Sequence, residues 1–495
     1  MMKRLFAFVL CILTILPLAA CSASLENTQT AQNAAQKSTA EQKESEKNKD
    51  PYAITKDPIS LPAGTCVGYS RVDITPEEYP IYISSGMTAK KALDPLYITV
   101  LAFSDGENAA FMVATDLKNM GGAFYTKCHT AITEVTGVPK DHIFLNATHN
   151  HNAPSANSDK VENIRWQALA LKRLKWAARQ ALLDLSPAKA EIGIADTTGF
   201  AFVRRYICED GSLQGIHHKI TTGSPAISHE TEADPDLQVI RFTRDGKKDI
   251  VMVNWQAHAA HAANDIKDAV TADFINEFRT GSEEKYGVQF AYYNGASGNI
   301  NLSSKFPEKK AVKGDYREVG KALVGKLGEA LETMQPVELG KVGAQASTVK
   351  AAIRKDDPER LAQAQICNSA NEANRDRLLD QYGFQSKYEA NYMVARSNRG
   401  SSQELAVSAI SFGELGFAAN SCEMFDTNGM EVKSASPFKM TFICAYTNGS
   451  NGYIPSTYAF SRGGYEVDTT YFVQGTGEAL AQELVRLLTN LHSAS

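Results

Sequence analysis

The chain has 495 residues, of which 43% are hydrophobic and 22% charged, and its formal net charge is −5 at pH 7. This length can bury a large core, and no basic patch of the kind that binds nucleic acid is present, so we expect no nucleic-acid partner. Only ten histidines occur, and two of them stand one residue apart after a short apolar run.

The first 20 residues predict a signal peptide. Lys3 and Arg4 precede an apolar stretch, LFAFVLCILTILPLAA, that is too short for a comfortable membrane span and ends in small residues. The sequence LAAC, ending at Cys21, resembles a bacterial lipoprotein signal and implies cleavage before Cys21 and lipidation of its thiol. The alternatives are a signal peptide cut elsewhere and an uncleaved anchor. Loss of the two N-terminal cations changes the formal charge from −5 to −7.

Residues 21–58 predict a lipidated N-terminus and a flexible tether. The segment after Cys21 consists mainly of Gln, Ala, Lys, Glu, Ser, Thr and Asn, so it cannot bury enough apolar surface to offset its ordering entropy. Two or three acyl chains would hold the protein on a membrane, since one chain alone binds only marginally. We therefore predict an exported, lipid-anchored protein of the bacterial cell envelope.

Residues 59–495 predict one large α/β domain, because apolar β-branched runs alternate with helical patterns and no second composition break occurs. Short turns between several strands indicate mixed, partly antiparallel β-sheets flanked by helices. The predicted strands are YITVLAF, AAFMVATDL, HIFLNAT, DLQVIRF, IVMVNWQ, VQFAYYNG, LAVSAISFG, LGFAANS and MTFICAY.

Five helices are predicted in this domain. The clearest begins at Val161, where apolar residues recur at three- and four-residue steps until Ser186-Pro187 ends the pattern. The other four lie in DFINEFRTGSEEKYG, in REVGKALVGKLGEALETM, between Pro358 and about Tyr382, and in TGEALAQELVRLLTNLH. The cysteines of this region are scattered without a C-x-x-C spacing, so the sequence predicts no thiolate zinc site and specifies no disulfide pairing.

Two strands that end in histidine predict a metal site. In an extended chain residues i and i+2 project to the same face, so we expect His149 and His151 to point together after HIFLNAT. The strand IVMVNWQ runs into His258, with His261 three residues later, and Glu423 follows LGFAANS. Zinc needs convergent ligands on rigid elements, and neutral imidazole is one of its usual ligands.

A simpler interpretation stays open for each of these residues. The histidines could be polar loop residues without a metal, and the tyrosines of YTNGSNGYIPSTYAFSRGGYEV could be packing residues with bonded hydroxyls. The occurrence of histidine at the ends of two separate strands favours the metal site.

The order of ten motifs resembles the neutral, non-lysosomal ceramidases and their shorter bacterial relatives. The resemblance covers nearly the whole globular region, and it implies the fold and the zinc-dependent amide hydrolysis of that family. In chain order the motifs are GYSRVDITP, DPLYITVLAF, NATHNHNAPS, FVRRY, DPDLQVIRF, NWQAH, TADF, NGASGNIN, CEMF and NGYIPSTYAFSRGGYEV.

The resemblance implies a zinc ion with four protein ligands. Carried over by position, these ligands are His149, His258, Glu423 and Tyr453, with the alternative that Glu423 positions the water instead of binding zinc directly. Because free tyrosine ionises only at about pH 10, the charge of the metal must hold the phenol deprotonated.

The resemblance also implies catalytic side chains around the metal. Arg204 of FVRRY aligns with the family's active-site arginine, with Arg205 as the alternative one position on. Tyr465 follows the metal tyrosine by twelve residues, which is the interval that the family uses before its catalytic tyrosine. His151 would stand beside the metal as an acid/base or oxyanion donor, and Asp273 of TADF would lie near the site as support.

These residues imply a zinc-dependent amidohydrolase that acts on an N-acyl sphingosine-like amide. Zinc lowers the pKa of its bound water to about 7, and this water would attack the amide carbonyl. Arg204, Tyr465 and the metal would stabilise the negative charge that forms on oxygen, and His151 would protonate the leaving amine.

The chain departs from the family pattern at three places. The family's Gly-Asp-Val-Ser-Pro stretch is replaced by GASGNINLSS, with Asn299 and Asn301 at the Asp and Ser positions, so we expect no mechanism that depends on that serine. A polar helical insert runs from about Lys355 to Asn398, and its character does not require a long acyl chain. We also expect no counterpart of the C-terminal β-sandwich domain of the larger enzymes.

Two other functions stay open beside the ceramidase-like one. The first is a zinc hydrolase of another envelope- or glycan-derived amide or ester, since fold and metal do not fix the substrate. The second is a non-catalytic metal- or ligand-binding lipoprotein. Arg204 and Tyr465 discriminate against the second, because a binder has no need of them around an open coordination position. No oligomeric state is indicated.

Overall fold

Two β-sheets pack face to face and carry helices on their outer sides in the computed structural model, which describes residues 50–55, 57–217 and 223–494. The predicted signal peptide, Cys21 and most of the predicted tether lie outside these residues. Among the described helices none combines the length and the apolar character that a membrane span requires.

The larger sheet contains nine strands, which are β1 (Cys66–Asp73), β2 (Tyr97–Ser104), β3 (Ala109–Thr115), β4 (Ile143–Ala147), β5 (Ser186–Asp196), β6 (Asp236–Arg244), β7 (Ile250–Trp255), β8 (Gln289–Asn294) and β9 (Gln335–Val337). Their order is β8-β7-β6-β5-β1-β2-β3-β4, with β9 beside β5. The pairs β3–β4 and β7–β8 are parallel and the others antiparallel, so the sheet is mixed as predicted.

The smaller sheet has four strands, in the order β10 (Val342–Ala352), β11 (Ser402–Phe412), β12 (Leu415–Asn420) and β13 (Met440–Cys444). Only the pair β12–β13 is parallel. All nine strands predicted from the sequence are present in the two sheets. The core between the sheets is aromatic, since the ring of Phe103 on β2 lies 5.1 Å from that of Phe412 and 5.4 Å from that of Phe417.

Twelve α-helices occur in the described residues, and the longer ones cover the outer sheet faces. Their bounds are α1 (Gly122–Thr136), α2 (Val161–Leu183), α3 (Ala262–Asp265), α4 (Phe274–Tyr286), α5 (Tyr316–Glu332), α6 (Pro358–Ser369), α7 (Glu372–Gln381), α8 (Lys387–Ser397), α9 (Asp426–Ala435), α10 (Thr457–Arg462), α11 (Tyr465–Thr469) and α12 (Thr476–Ala494). Helices α4 and α5 bury apolar side chains against the larger sheet, and α12 does so against the smaller one.

The single helix predicted between Pro358 and about Tyr382 is wrong, because two helices occupy this stretch and a third follows. Ala370 ends α6 in an extended conformation, and the side chain of Asn371 accepts a hydrogen bond from the backbone N–H of Asn374. An asparagine in this role starts a new helix rather than continuing the old one. The other four predicted helices correspond to α2, α4, α5 and α12.

Shorter elements complete the described chain. They are the strands Ile81–Tyr82, Thr88–Ala89, Lys91–Ala92, Phe202–Val203, Arg205–Cys208, Leu213–Gly215, Ala226–His229, Ala269–Val270, Ile300–Asn301, Glu423–Met424 and Tyr453–Ile454, and the 3-10 turns Lys140–His142 and Pro307–Lys309. The six cysteines of the described part are buried and form no disulfide.

Buried asparagines join the strand ends from which the predicted site residues emerge. Asn146 on β4, Asn254 on β7 and Asn294 on β8 are at most 2% exposed. The amide of Asn146 donates to the carbonyl of Ala445 at 2.7 Å, and that of Asn254 donates to the carbonyl of Ile443 on β13 at 2.9 Å. These bonds hold β4 and β7, which are far apart in the sheet order, against the same end of the smaller sheet.

Candidate metal centre

His149 and His151 lie in the loop that directly follows β4. The expectation that strand alternation directs them is wrong, because β4 ends at Ala147 and His149 has a φ of +63°. A non-glycine residue in this left-handed region marks a tight turn that its surroundings must hold in place. The turn, and not a continuing strand, therefore brings the two imidazoles together.

Asparagines that alternate with the histidines hold this loop. The side-chain amide of Asn150 donates to the carbonyl of Thr271 at 2.7 Å, and that of Asn152 donates to the carbonyl of Ala269 at 3.2 Å. Both asparagines are fully buried. Sequence reasoning missed their role, although their alternation with histidine in NATHNHN was a visible signal.

His258 lies just beyond β7, and its loop is bonded to that of His151. The backbone N–H of His151 donates to the carbonyl of Ala259 at 2.9 Å. His261 does not turn toward His258, since its Nε2 accepts the backbone N–H of Leu302 at 3.0 Å. His261 therefore has a structural role in the described site.

Asp273 supports the His258 loop and does not contact a predicted metal ligand. Its carboxylate accepts hydrogen bonds from the backbone N–H groups of Ala262 and Phe274, each at 2.7 Å. It is 1% exposed and has a φ of +57°. This places Asp273 behind the His258 loop and not among the converging side chains.

Glu423 and Tyr453 are direct neighbours across a short parallel ladder. The strands Glu423–Met424 and Tyr453–Ile454 pair in this register, so both side chains project to the same side. The ring of Tyr453 lies stacked 6.5 Å from that of His258. The structure thus brings together all four residues that the resemblance gave as zinc ligands.

Four side-chain atoms converge between the two histidine loops and the Glu423 strand. Oε2 of Glu423 lies 3.4 Å from Nε2 of His149 and 3.5 Å from Nε2 of His258. Nε2 of His151 lies 3.3 Å from that of His149. Within the described residues, the His258 Nε2 and the Glu423 Oε2 are buried without a hydrogen-bond partner.

The tautomers of two histidines are fixed by backbone carbonyls. Nδ1 of His149 lies 2.9 Å from the oxygen of Lys118, and Nδ1 of His258 lies 2.7 Å from the oxygen of Ser297. A carbonyl oxygen only accepts, so Nδ1 carries a proton in both rings, and in the neutral form of each ring Nε2 presents a lone pair toward Glu423. Burial and the nearby Arg204 guanidinium lower the pKa of His258 to about 3, which keeps this imidazole neutral.

The donor set therefore fits a cation. Two lone pairs and a carboxylate that face one another without a proton are electrostatically unfavourable in a buried site unless a positive charge lies between them. Imidazole nitrogens with a carboxylate oxygen are the ligands of catalytic zinc.

His151 is close enough to the other imidazoles to belong to the same cluster. The ring nitrogens of His149, His151 and His258 lie within 4.8 Å of one another. Burial, followed by the charge of Lys118, lowers the pKa of His151 well below its usual value, so this imidazole is also neutral. A neutral imidazole beside the cluster has a free lone pair for a proton.

The sequence alone favours a packing role for Tyr446, and in the structure this tyrosine supports His149. Its ring stacks on that of His149 with centroids 4.0 Å apart. Its hydroxyl lies 2.7 Å from Oγ of Ser297, whose backbone oxygen accepts the proton of His258. A single tyrosine thus links the two histidine loops.

Arg204, and not Arg205, contacts a predicted metal ligand. Nη2 of Arg204 donates to the hydroxyl of Tyr453 at 3.0 Å and to the carbonyl of Gly298 at 2.9 Å. Arg205 pairs instead with Glu230 and Glu466. Burial raises the pKa of Tyr453 well above 10 although the Arg204 charge opposes it, so the phenol is neutral until further positive charge arrives.

Glu466 was missed in the sequence, although it directly follows Tyr465. Its carboxylate is 1% exposed and accepts from Nε of Arg204 at 2.8 Å and from Nη1 of Arg205 at 3.1 Å. Burial opposes ionisation, but the two guanidinium groups outweigh it and lower the pKa of Glu466. The ring of Tyr465 lies 5.7 Å from that of Tyr453. Helix α11 therefore brings both Tyr465 and Glu466 to the site.

The two asparagines that depart from the family pattern lie beside Arg204. The side-chain amide of Asn299 donates to Oδ1 of Asp426 at 2.6 Å, and its backbone oxygen accepts the N–H of Arg204 at 2.9 Å. Oδ1 of Asn301 lies 3.4 Å from Nη1 of Arg204. An aspartate at position 299 would face the Asp426 carboxyl, which gives a physical reason for the amide in this chain.

Comparison with solved structures identifies the fold. The crystal structure of neutral ceramidase from Pseudomonas aeruginosa is 15% identical and superposes with a TM-score of 0.66, covering 88% of this chain and 75% of that one. This chain has the neutral ceramidase fold. A ceramidase complexed with C2 is 16% identical with a TM-score of 0.65, covering 88% and 76% of the two chains. No family model and no curated protein matches the sequence.

Proposed function

We propose that this protein is a zinc-dependent hydrolase of amide bonds, with an N-acyl lipid of the ceramide type as the first substrate to test. The carrying observation is that Oε2 of Glu423 lies within 3.5 Å of Nε2 of both His149 and His258, with the Glu423 oxygen and the His258 nitrogen buried and unbonded in the described residues. The neutral ceramidase fold supports the same function. The lipoprotein signal that ends at Cys21 supports a location at a membrane surface.

His149, His258 and Glu423 would hold the zinc, with Tyr453 as the fourth ligand. Zinc would act as a Lewis acid that polarises a carbonyl group. It would also lower the pKa of water, so that hydroxide is available as a nucleophile near neutral pH. Arg204 donates a hydrogen bond to the Tyr453 hydroxyl and would stabilise the negative charge of the phenolate that the metal requires. The guanidinium is 3% exposed, so we assign it to holding Tyr453 rather than to binding substrate.

His151 and Tyr465 would perform the proton transfer and the charge stabilisation. His151 is neutral and lies beside the cluster, so its imidazole can take a proton from the attacking water and return it to the leaving amine. Burial raises the pKa of Tyr465 above 10, so its phenol keeps its proton. A protonated phenol can donate to the oxyanion of the tetrahedral intermediate.

Hydrolysis by the metal-free and the zinc-loaded protein tests the proposal. The substrates are a fluorogenic N-acyl sphingosine, N-acyl amides of simple amines, and the matching esters, with His149→Ala as the inactive control. We expect zinc to restore the cleavage of amides. Cleavage of esters alone would favour the ester hydrolase, and stoichiometric zinc without turnover on any substrate would favour the binding protein.

A further inference from the structure

The helical insert reaches the candidate site through α8. The ring of Tyr388 lies edge to face with that of Tyr465, with centroids 5.7 Å apart. The ring of His217 lies 4.8 Å from that of Tyr388 and 5.0 Å from that of Tyr465. Three rings from separate chain segments thus meet around Tyr465, and we call His217, Tyr388 and Tyr465 the aromatic rim.

The insert is fixed to the helix that carries Tyr465. Arg396 on α8 is 1% exposed, and its Nη1 donates to the carbonyls of Asp468 at 2.7 Å and Thr470 at 3.0 Å, at the end of α11. Its other nitrogens pair with the carboxylate of Asp356 at 2.9 and 2.7 Å. A buried bidentate guanidinium fixes both distance and orientation, so the position of Tyr388 beside Tyr465 is built into the fold.

The ring of Tyr465 contacts a predicted metal ligand as well as Tyr388 and His217. The centroid of the Tyr453 ring lies 5.7 Å from that of Tyr465, and the Tyr453 hydroxyl accepts a hydrogen bond from Arg204. A group of the substrate that extends past Tyr465 therefore meets Tyr388 and His217. These two side chains present aromatic ring faces and polar atoms at the ring edges to such a group, and neither presents an aliphatic surface.

We propose that Tyr388 determines substrate specificity, and that the aromatic rim favours a compact or ring-shaped acyl group over a long alkyl chain. Aromatic side chains with two rotatable bonds provide contact area at low entropic cost, and they suit flat or compact groups. A long flexible chain loses rotamer freedom on binding and needs a continuous apolar wall to offset it. This inference rests on the proposed amide hydrolysis at the same site.

A series of amides with one amine and different acyl groups tests the rim. We compare acetyl, hexanoyl, benzoyl and dodecanoyl amides on the wild type, Tyr388→Ala and Tyr388→Phe, with Ile366→Ala as a control on the exposed face of α6, where Ile366 is 48% exposed. We expect the wild type to favour hexanoyl over dodecanoyl by roughly 10-fold or more in kcat/KM. The Tyr388→Ala variant should reduce this preference by roughly fivefold, whereas the Phe and Ile366 variants should keep it.

Binding of the carboxylate products tests the rim without turnover. Calorimetry measures the affinities of hexanoate, benzoate and dodecanoate for the zinc-loaded wild type and Tyr388→Ala. A wild type that cleaves no amide refutes the proposed function, while the ratio of these affinities still decides the role of Tyr388. Affinity and kcat/KM ratios that agree within twofold between wild type and Tyr388→Ala overturn the inference.

Discussion

The two sides of the candidate site differ in how their polar atoms are satisfied. On one side His149, His258 and Glu423 present lone pairs to one another, and two of these atoms have no hydrogen-bond partner in the described residues. On the other side all three guanidinium nitrogens of Arg204 have acceptors, including the carboxylate of Glu466.

This difference shows where a cation belongs. Buried polar groups in native proteins are almost always bonded, so two buried acceptors without partners form a place that favours a positive charge. The histidine side lacks that charge and the arginine side already contains it. The histidine side is therefore the part that could hold a metal ion, and on the arginine side Arg204 orients the hydroxyl of Tyr453.

The largest effect is expected from removing an imidazole on the histidine side. His149→Ala and His258→Ala should each lose zinc and activity together. The loss should exceed the roughly 10–100-fold that follows when a residue supporting a metal ligand is removed. His261→Ala is the matched control, because His261 shares the loop but bonds to a backbone N–H. Metal analysis and kcat/KM check this prediction, and zinc retained by His149→Ala would refute the assignment.

Tyr465→Phe should separate catalysis from metal binding. The change removes one hydroxyl beside the arginine side, so we expect kcat to fall by roughly 100-fold or more, as for the loss of an oxyanion donor. Zinc content should stay at the wild-type level. Full activity of the variant would show that the hydroxyl has no part in the reaction.

Glu466→Gln should weaken the arginine side by loosening Arg204. We expect zinc affinity and kcat each to fall by roughly 10-fold, since a supporting partner of a metal ligand has been lost. Glu230→Gln is the control, because Glu230 pairs with Arg205 and not with Arg204. Equal losses in the two variants would mean that only the net charge of the buried cluster matters.

Asp426 is a buried carboxyl that has no ion pair in the described part of the chain, so it shows what burial does when no cation balances it. Burial outweighs the hydrogen bond from Asn299 and raises its pKa to about 7. Because the folded-state pKa exceeds the unfolded one, the stability that Asp426 contributes is complete below about pH 4 and is lost as pH rises through about 7. Asp426→Asn should therefore gain free energy of unfolding over the wild type across this range, by at most about 4 kcal/mol.

Denaturant unfolding at pH 5, 6, 7 and 8 measures this difference. The exposed Asp245, changed to Asn, is the control and should show no such trend. A constant difference between Asp426→Asn and the wild type at all four pH values would contradict the prediction.

The sequence predicted the strands and the residues of the site better than the way they meet. Composition alone predicts strands from apolar runs such as those of β4 and β7, and histidine at two strand ends predicts a metal site. The left-handed turn at His149 and the asparagine bonds between strand ends depend on contacts between distant segments, which no local pattern encodes. Glu466 and Tyr388 were missed for the same reason, because their partners lie far away along the chain.

Anomalous diffraction from crystals soaked with zinc tests the central claim most directly. The account predicts one strong peak about 2.0–2.3 Å from Nε2 of His149, Nε2 of His258 and an oxygen of Glu423, the distances of zinc ligands in proteins. The same map shows whether His151 is a ligand or stands outside bonding distance. A protein that binds zinc elsewhere, or shows no peak between these three side chains, would contradict it.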